Sequence, residues 1–397
     1  MGDKAAYGRQ VITPRSAWRT SVVLLGCSVL LSGCTGTAES TAPLQPTDSA
    51  SPASASPEVK PSPTPTSSPS PSVAPQPTSP LTGETNLSPK PVLVVKLDNT
   101  RNAQPHSGLM DADVVYIEEV EYGITRLAAV FSSKIPARIG PVRSARITDI
   151  DLLEQYGSPA FAFSGVQTKM WPVIDASSLI DISPNKMAQA YFRDPARRAP
   201  YNYFIDGVLA LEQTPKASLE KEIGFVFSDI APPSETLGQK ALMEWSYASA
   251  RFVYDPISGL YKVFLNGERA QADESDLGQR AATVIIQNVK QTPSEYNDKG
   301  GGNTPHAETI GTGSATVLRD GLAYAVTWSR PDVESGTTFI QADGSPMPFK
   351  PGQQWVVLLD TQRPPEIRPK PLTALEKLAA RTSSPSPSAV PADSLNP

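Results

Sequence analysis

The segment Ala137–Arg146 (ARIGPVRSAR) gathers more reactive chemistry than any other stretch of the chain. Arg138, Arg143 and Arg146 fall within nine positions around a Gly-Pro bend. Helical spacing begins directly afterwards, so the segment should lead into a helix N-terminus. There, unpaired N–H groups and the positive end of the dipole favour an anion. Guanidinium groups add planar, two-pronged donors for phosphate or carboxylate. Ser144 stands where it could cap the helix or donate to the same anion. The expected site is therefore Arg138, Arg143, Ser144 and Arg146, supported by Arg126 and Arg193; Arg101, Arg197 and Arg198 could also converge on it. Two other readings compete. The arginines could pair with Glu118, Glu119 and Glu121 nearby, or they could form a patch that docks another protein.

Other chemistries find less support. His106 and His306 are far apart and neither has a second histidine at zinc-ligand spacing. Asp111-Ala112-Asp113 could join Asp98 around a divalent cation, but a solvated turn before a strand explains it more simply. No metal ligands are assigned and no cofactor is expected. Ser144 or Ser164 could be matched with His106 for hydrolysis, yet no spacing favours it. The chain has neither a G-x-S-x-G elbow nor a phosphate-binding P-loop. A net charge of -5 argues against nucleic acid as a partner.

The N-terminus carries an export signal. Lys4, Arg9, Arg15 and Arg19 precede a short apolar run, Ser21–Leu31, followed by Leu31-Ser32-Gly33-Cys34. Small residues before a cysteine form a lipobox, whose thiol receives a diacylglyceryl group. The apolar run is too short to span a bilayer, which takes roughly 20 residues. Two acyl chains would give stable anchoring. Residues 1–33 thus read as a lipoprotein signal peptide, Cys34 as the lipidation site, and the location as the extracytoplasmic face of the cell membrane. The chain has only Cys27 and Cys34. Processing would therefore leave the folded part without a thiol nucleophile, thiolate metal ligand or disulfide.

Of the 397 residues, 41 are proline. They crowd between Cys34 and Lys90 and again after Arg381, among Ser, Thr and Ala. Such composition buries too little apolar surface to order itself. Residues 34–90 are expected to be a disordered tether, and 363–397 a tail with a short helix and then disorder. As an ideal coil the tether would span about 45 Å, and as extended polyproline II about 170 Å.

Positioning falls to residues 91–362. Pro91–Leu97 and Val114–Val120 read as strands. Tyr122-Gly123 reads as a turn into a hairpin partner at Ile124–Phe131. A helix is expected over Ile147–Tyr156, ended by Gly157, then a short strand at Ala160–Phe163. These elements suggest an α+β or α/β N-terminal domain over 91–240. From 241 to 362 the signals change to short strands at Arg251–Tyr254, Leu260–Leu265, Val284–Val289, Ala315–Arg319, Leu322–Trp328 and Trp355–Leu359. That predicts a β-rich C-terminal domain. Gly300-Gly301-Gly302 reads as a flexible hairpin tip, and Trp328 and Trp355 as core residues or sugar-stacking platforms.

Several segments resemble the YerB-type bacterial lipoproteins, a family of unknown function. They are Pro91–Asn99, Gly108–Arg126, Ile139–Arg146 (IGPVRSAR), Tyr191–Asn202 (YFRDPARRAPYN), Gly311–Gly321 and Asp343–Trp355. The resemblance implies a larger N-terminal and a smaller C-terminal domain, and supplies no catalytic residues. Where that family reads APHN, this chain has Ala199-Pro200-Tyr201-Asn202, which removes any histidine chemistry there. The leading expectation is a membrane-tethered protein that binds an anionic envelope ligand: a phosphorylated glycan, a teichoic-type polymer or a lipid-linked phosphate. The alternatives are an envelope phosphoryl-transfer enzyme using a divalent metal and a scaffold that docks an envelope protein.

Overall fold

The computed structural model describes residues 77–85 and 89–368. The expected signal peptide, Cys34 and most of the expected tether lie outside the described residues. A mixed ten-stranded sheet dominates, and both halves of the chain build it. Its strands are β1 (Leu93–Asp98), β2 (Val114–Glu119), β3 (Thr125–Phe131), β4 (Ala160–Ala162), β5 (Ile180–Asp181), β6 (Thr283–Val289), β7 (Gly311–Arg319), β8 (Leu322–Arg330), β9 (Thr338–Ile340) and β10 (Gln354–Asp360). Their spatial order is β9-β8-β7-β6-β10-β2-β3-β1-β4-β5. The last strand, β10, lies parallel to both β2 and β6 and so joins the two halves.

Both faces of this sheet are covered, which explains why β1, β2 and β10 are apolar on both faces over most of their length and buried almost throughout. Leu93, Val95 and Leu97 point into one core, with Ile117, Trp355 and Phe252. A second sheet built on Lys240–Glu244, Ser249–Asp255 and Leu260–Leu265 contributes to that core. Val94, Tyr116 and Val130 point into the other core, beneath helix α1 (Ile147–Leu153). Alternation places successive residues on opposite faces, so even-numbered residues of β1 and β2 face α1. Trp355 is fully buried and Trp328 nearly so, as core residues.

The fold class matches the sequence reading: a mixed α/β sheet in the first half and a β-rich second half. Two edges differ. Residues 77–85, assigned to the tether, are in place because Leu81 buries completely and Ser79 hydrogen-bonds Glu220 at 2.7 Å. The amide of Gly352 also donates to the Thr82 carbonyl at 2.8 Å, so burial and hydrogen bonds together hold that end of a proline-rich stretch. At the other end, Glu366–Arg368 pairs antiparallel with Lys240–Glu244, so the first residues assigned to the tail form a strand. The expected helix also shortens: α1 ends at Leu153, a 3-10 turn follows over Glu154–Tyr156, and Gly157 (φ 84°) closes it.

Candidate functional site

β1 and β2 run in the same direction, since each is antiparallel to the β3 strand between them; β4 is parallel to β1. Ligand clefts in such sheets tend to open beyond the carboxyl ends of parallel strands. On the α1 face, the apolar pattern stops at that end. Asp98, Arg126 and Glu118 stand opposite one another in register across β1, β3 and β2, with Lys96 one step behind Asp98. All four are buried. Lys96 contacts Glu118, and its Nζ lies 2.7 Å from Asp149. Burial, partly opposed by Asp149, lowers the Lys96 ammonium to about 8.

Residues 142–146 lie across these strand ends. Arg143 N–H donates to the Lys96 carbonyl at 2.8 Å, and Ala145 N–H to the Gly165 carbonyl at 3.1 Å. The segment therefore bridges β1 and the loop after β4. Arg143 reaches Asp98 (2.8 Å) with its side chain one-third exposed. Arg146 grips Glu121 with two prongs, at 2.5 and 2.8 Å. Arg126 Nη1 donates to the Ser144 carbonyl at 2.5 Å. Arg126 is only 7% exposed, yet among the described residues no carboxylate lies within ion-pair distance of it. Burial and the neighbouring Arg146 lower its guanidinium to about 9.

The far wall comes from the second half of the chain. Strands Gln291–Asn297 and Asn303–Ala307 form a hairpin whose tip is the glycine run. Tyr122, in the turn between β2 and β3, adopts a left-handed φ of 61°. Its hydroxyl donates to Asp298 at 3.0 Å and accepts from Gly302 N–H at 2.9 Å. Thr304 donates to Glu121, Gln167 to the Asn297 carbonyl, and Ala307 N–H to Thr148 Oγ1 at 3.0 Å. His306 Nε2 meets Asp151 at 2.9 Å. Between the hairpin and the strand ends lies a cleft of about 450 Å³, lined by Arg126, Arg143, Ser144, Arg146, Tyr296, Asn297 and Lys299, among others.

Of the six residues expected in an anion site, four meet here: Arg126, Arg143, Ser144 and Arg146. Arg138 and Arg193 do not. Before the Gly140-Pro141 bend, Ile139 pairs with Ile205, and this carries Arg138 to a different surface. There it meets Asp194 (2.5 Å) and Asp273 (3.6 Å) and stacks 3.9 Å above Phe204. Arg193 donates to Asn202 and stacks on Tyr203. Ser144 does not cap α1. Arg146 holds the N-cap position, and its N–H is bonded by Asp149 at 2.6 Å. The competing ion-pair reading holds for Arg146, whose partner is Glu121; Glu118 and Glu119 pair instead with Lys96 and Arg363.

The carboxylates considered for a metal take separate partners. Asp98 bonds Arg143 and Thr100, while Asp113 accepts from the amides of Ser132 and Ser133. Asp111 lies 3.9 Å from Lys134. Among the described residues no three His, Cys, Asp or Glu side chains are grouped to hold a metal ion. His106 is buried with Nε2 against the Asp98 carbonyl, not against a serine. Sequence reasoning missed Gln167, Tyr296, Asn297, Lys299 and the roles of Glu121 and Tyr122. Only the glycine run signalled a close approach, without saying to what.

Two family models match the chain. Residues 78–221 match the N-terminal domain, and 242–356 the C-terminal domain, of the protein of unknown function DUF3048. The chain belongs to this family. YerB of Bacillus subtilis (strain 168), a protein named provisionally as a lipoprotein, is 24% identical over 293 residues, covering 70% of this chain and 85% of that one. The crystal structure of B. subtilis YerB superposes with a TM-score of 0.61 at 19% identity, covering 72% of this chain and 97% of that one. That likeness shows a shared fold. The relative's name accords with the lipobox at Cys34.

Proposed function

We propose that the folded part of this protein binds a phosphate-bearing component of the cell envelope in the cleft between the strand ends and the glycine-tipped hairpin, while lipid on Cys34 holds it at the outer face of the membrane. The observation that carries this reading is Arg126. It is nearly buried, lines an open cleft beside Arg143 and Arg146, and has no carboxylate within ion-pair distance among the described residues. A buried charge that no carboxylate contacts is expensive, even with Glu121 and Asp98 acting on it from farther away. A bound anion would supply a counter-charge in direct contact. Arg143 is available from the side, since its guanidinium is partly exposed and faces a single carboxylate. Arg146 is committed to Glu121 and acts by shaping the wall. Lys299 brings a further positive charge from the hairpin.

Binding is favoured over phosphoryl transfer because Asp98 and Asp113 are already engaged and Asp111 lies elsewhere. The docking-scaffold reading gains no specific observation. The test is titration of the full-length chain with a short glycerol-phosphate diester at low and high salt. Wild type should bind, more weakly as salt rises. Arg143→Ala should weaken binding about tenfold, the loss of one charge-assisted contact. Equal affinity of wild type and Arg143→Ala across salt concentrations would overturn the proposal.

A further inference from the structure

The motif YFRDPARRAPYN contributes nothing to the cleft, yet it builds a second depression. Asn102, Gln104, Arg197, Arg198 and Tyr201 are among the residues lining about 580 Å³ of open volume. Arg197 donates to the carbonyls of Ala103 and Pro105 and lies 5.4 Å above the Phe204 ring. Arg198 is exposed, and its guanidinium makes no hydrogen bond or ion pair among the described residues. Arg193 stacks on Tyr203 close by in sequence. The neighbouring carboxylates, Asp194 and Asp273, are taken by Arg138. Arg193, Arg197 and Arg198 therefore lack a carboxylate within 4.0 Å among the described residues. Guanidinium groups held over aromatic rings, as Arg193 and Arg197 are, gain support from the ring while keeping donors for an oxyanion.

The loop after β1 links this depression to the cleft. Asp98 receives Arg143 at the cleft, and Asn102 lines the second depression only four residues later. Four residues span at most about 14 Å even when fully extended. Two arginine-rich sites joined by so short a stretch of chain suit a ligand with repeated negative charges that passes from one surface to the next.

We propose that the depression around Arg197 and Arg198 is a second anion subsite, and that the ligand is a phosphodiester polymer occupying it and the cleft together. The inference rests on the cleft being an anion site. Two linked contacts convert the second binding event into an intramolecular one and raise apparent affinity without new chemistry. They also steepen the salt dependence, because each neutralised phosphate releases counterions.

The experiment compares glycerol 3-phosphate with a glycerol-phosphate oligomer long enough to cover about 15 Å. Both are titrated against wild type, Arg143→Ala, Arg198→Glu and Arg198→Lys in the full-length chain, with phosphatidylglycerol vesicles as a parallel arm. The oligomer should bind wild type at least about tenfold more tightly than the monomer. Arg198→Glu should remove most of that advantage and flatten the salt slope of oligomer binding. Arg198→Lys should restore the advantage. Arg198 is exposed and unpaired, so the substitution should fold. If Arg143→Ala weakens the monomer but Arg198→Glu leaves the oligomer unaffected, the second subsite is wrong and the cleft reading stands. If Arg143→Ala weakens neither ligand, the cleft reading fails and this inference with it. Loss of vesicle binding alone in Arg198→Glu would make the surface a membrane contact and overturn the polymer.

Discussion

At the scale of single residues, the cleft depends on a buried charge that no carboxylate contacts among the described residues. Arg126 is lowered to about 9 by burial first and then by Arg146, and Lys96 beneath it to about 8. Both are bases with depressed values, so each loses its proton in the folded protein before it would in the unfolded chain. Anion affinity, measured with a phosphodiester whose own charge is constant, should hold up to about pH 8 and fall as pH passes about 9. A profile flat to pH 10.5 would show that Arg126 keeps its charge in the folded protein throughout that range. Asp113 gives a second pH test away from the site. Burial raises its carboxyl to about 6, against hydrogen bonds from Ser133 and Ser132. The folded state thus holds that proton more tightly than the unfolded state, whose carboxyl titrates near the ordinary value of 3.8. Its contribution to stability falls as pH rises through this window. Asp113→Asn cannot ionise, so its stability relative to wild type should climb between about pH 4 and 6, by at most about 3 kcal/mol, and level off above. Urea melts across that range read the slope independently of any constant offset from the amide.

At the scale of elements, the hairpin Gln291–Ala307 makes a cleft out of what would otherwise be a bare sheet end. Its docking requires glycine at the tip. A Cβ on Gly302 would fall 2.4 Å from Tyr122 Cζ, and one on Gly300 would fall 2.7 Å from the Tyr122 hydroxyl. Gly302→Ala should push the tip away from Tyr122, weaken anion binding several-fold and raise amide exchange over residues 296–304, with little change in the global melt. Adding Tyr122→Ala should relieve the clash and recover part of the protection. Unchanged exchange in Gly302→Ala would mean that the hairpin yields without leaving its seat. Helix α1 plays a smaller part than its position suggests: it has seven residues, and Asp149 already occupies its first turn. The anion therefore depends on side-chain guanidinium groups more than on the helix end.

At the scale of the molecule, Cys34→Ser should move the protein from the membrane fraction to the medium or strand it unprocessed. Normal retention and processing would refute lipidation at that residue. Eight of the ten strands of the large sheet were legible because each carries an apolar run bounded by turn residues, and Leu93–Asp98 and Gln354–Asp360 are buried along nearly their whole length, whereas Ile180–Asp181 and Thr338–Ile340 are too short to leave a pattern. The Tyr122-Gly123 turn and the pairing of its flanking strands were legible for the same local reason. The joining of the two halves through β10 was not legible, because parallel pairing between residues 114–117 and 354–357 leaves no periodic trace in either segment. The site divides in the same way. Sequence by itself determined that no cysteine lies beyond Cys34, most of the strand pattern and the arginine-rich loop, and it raised the expectation of an export signal; all of these follow from composition or from spacing within a few residues. Only the tertiary structure decided that Arg126, Arg143 and Arg146 meet while Arg138 and Arg193 do not, and that a hairpin more than 140 residues away closes the cleft. Hydrophobic periodicity reports which face of an element is buried; it carries no information about which distant loop settles on its polar end.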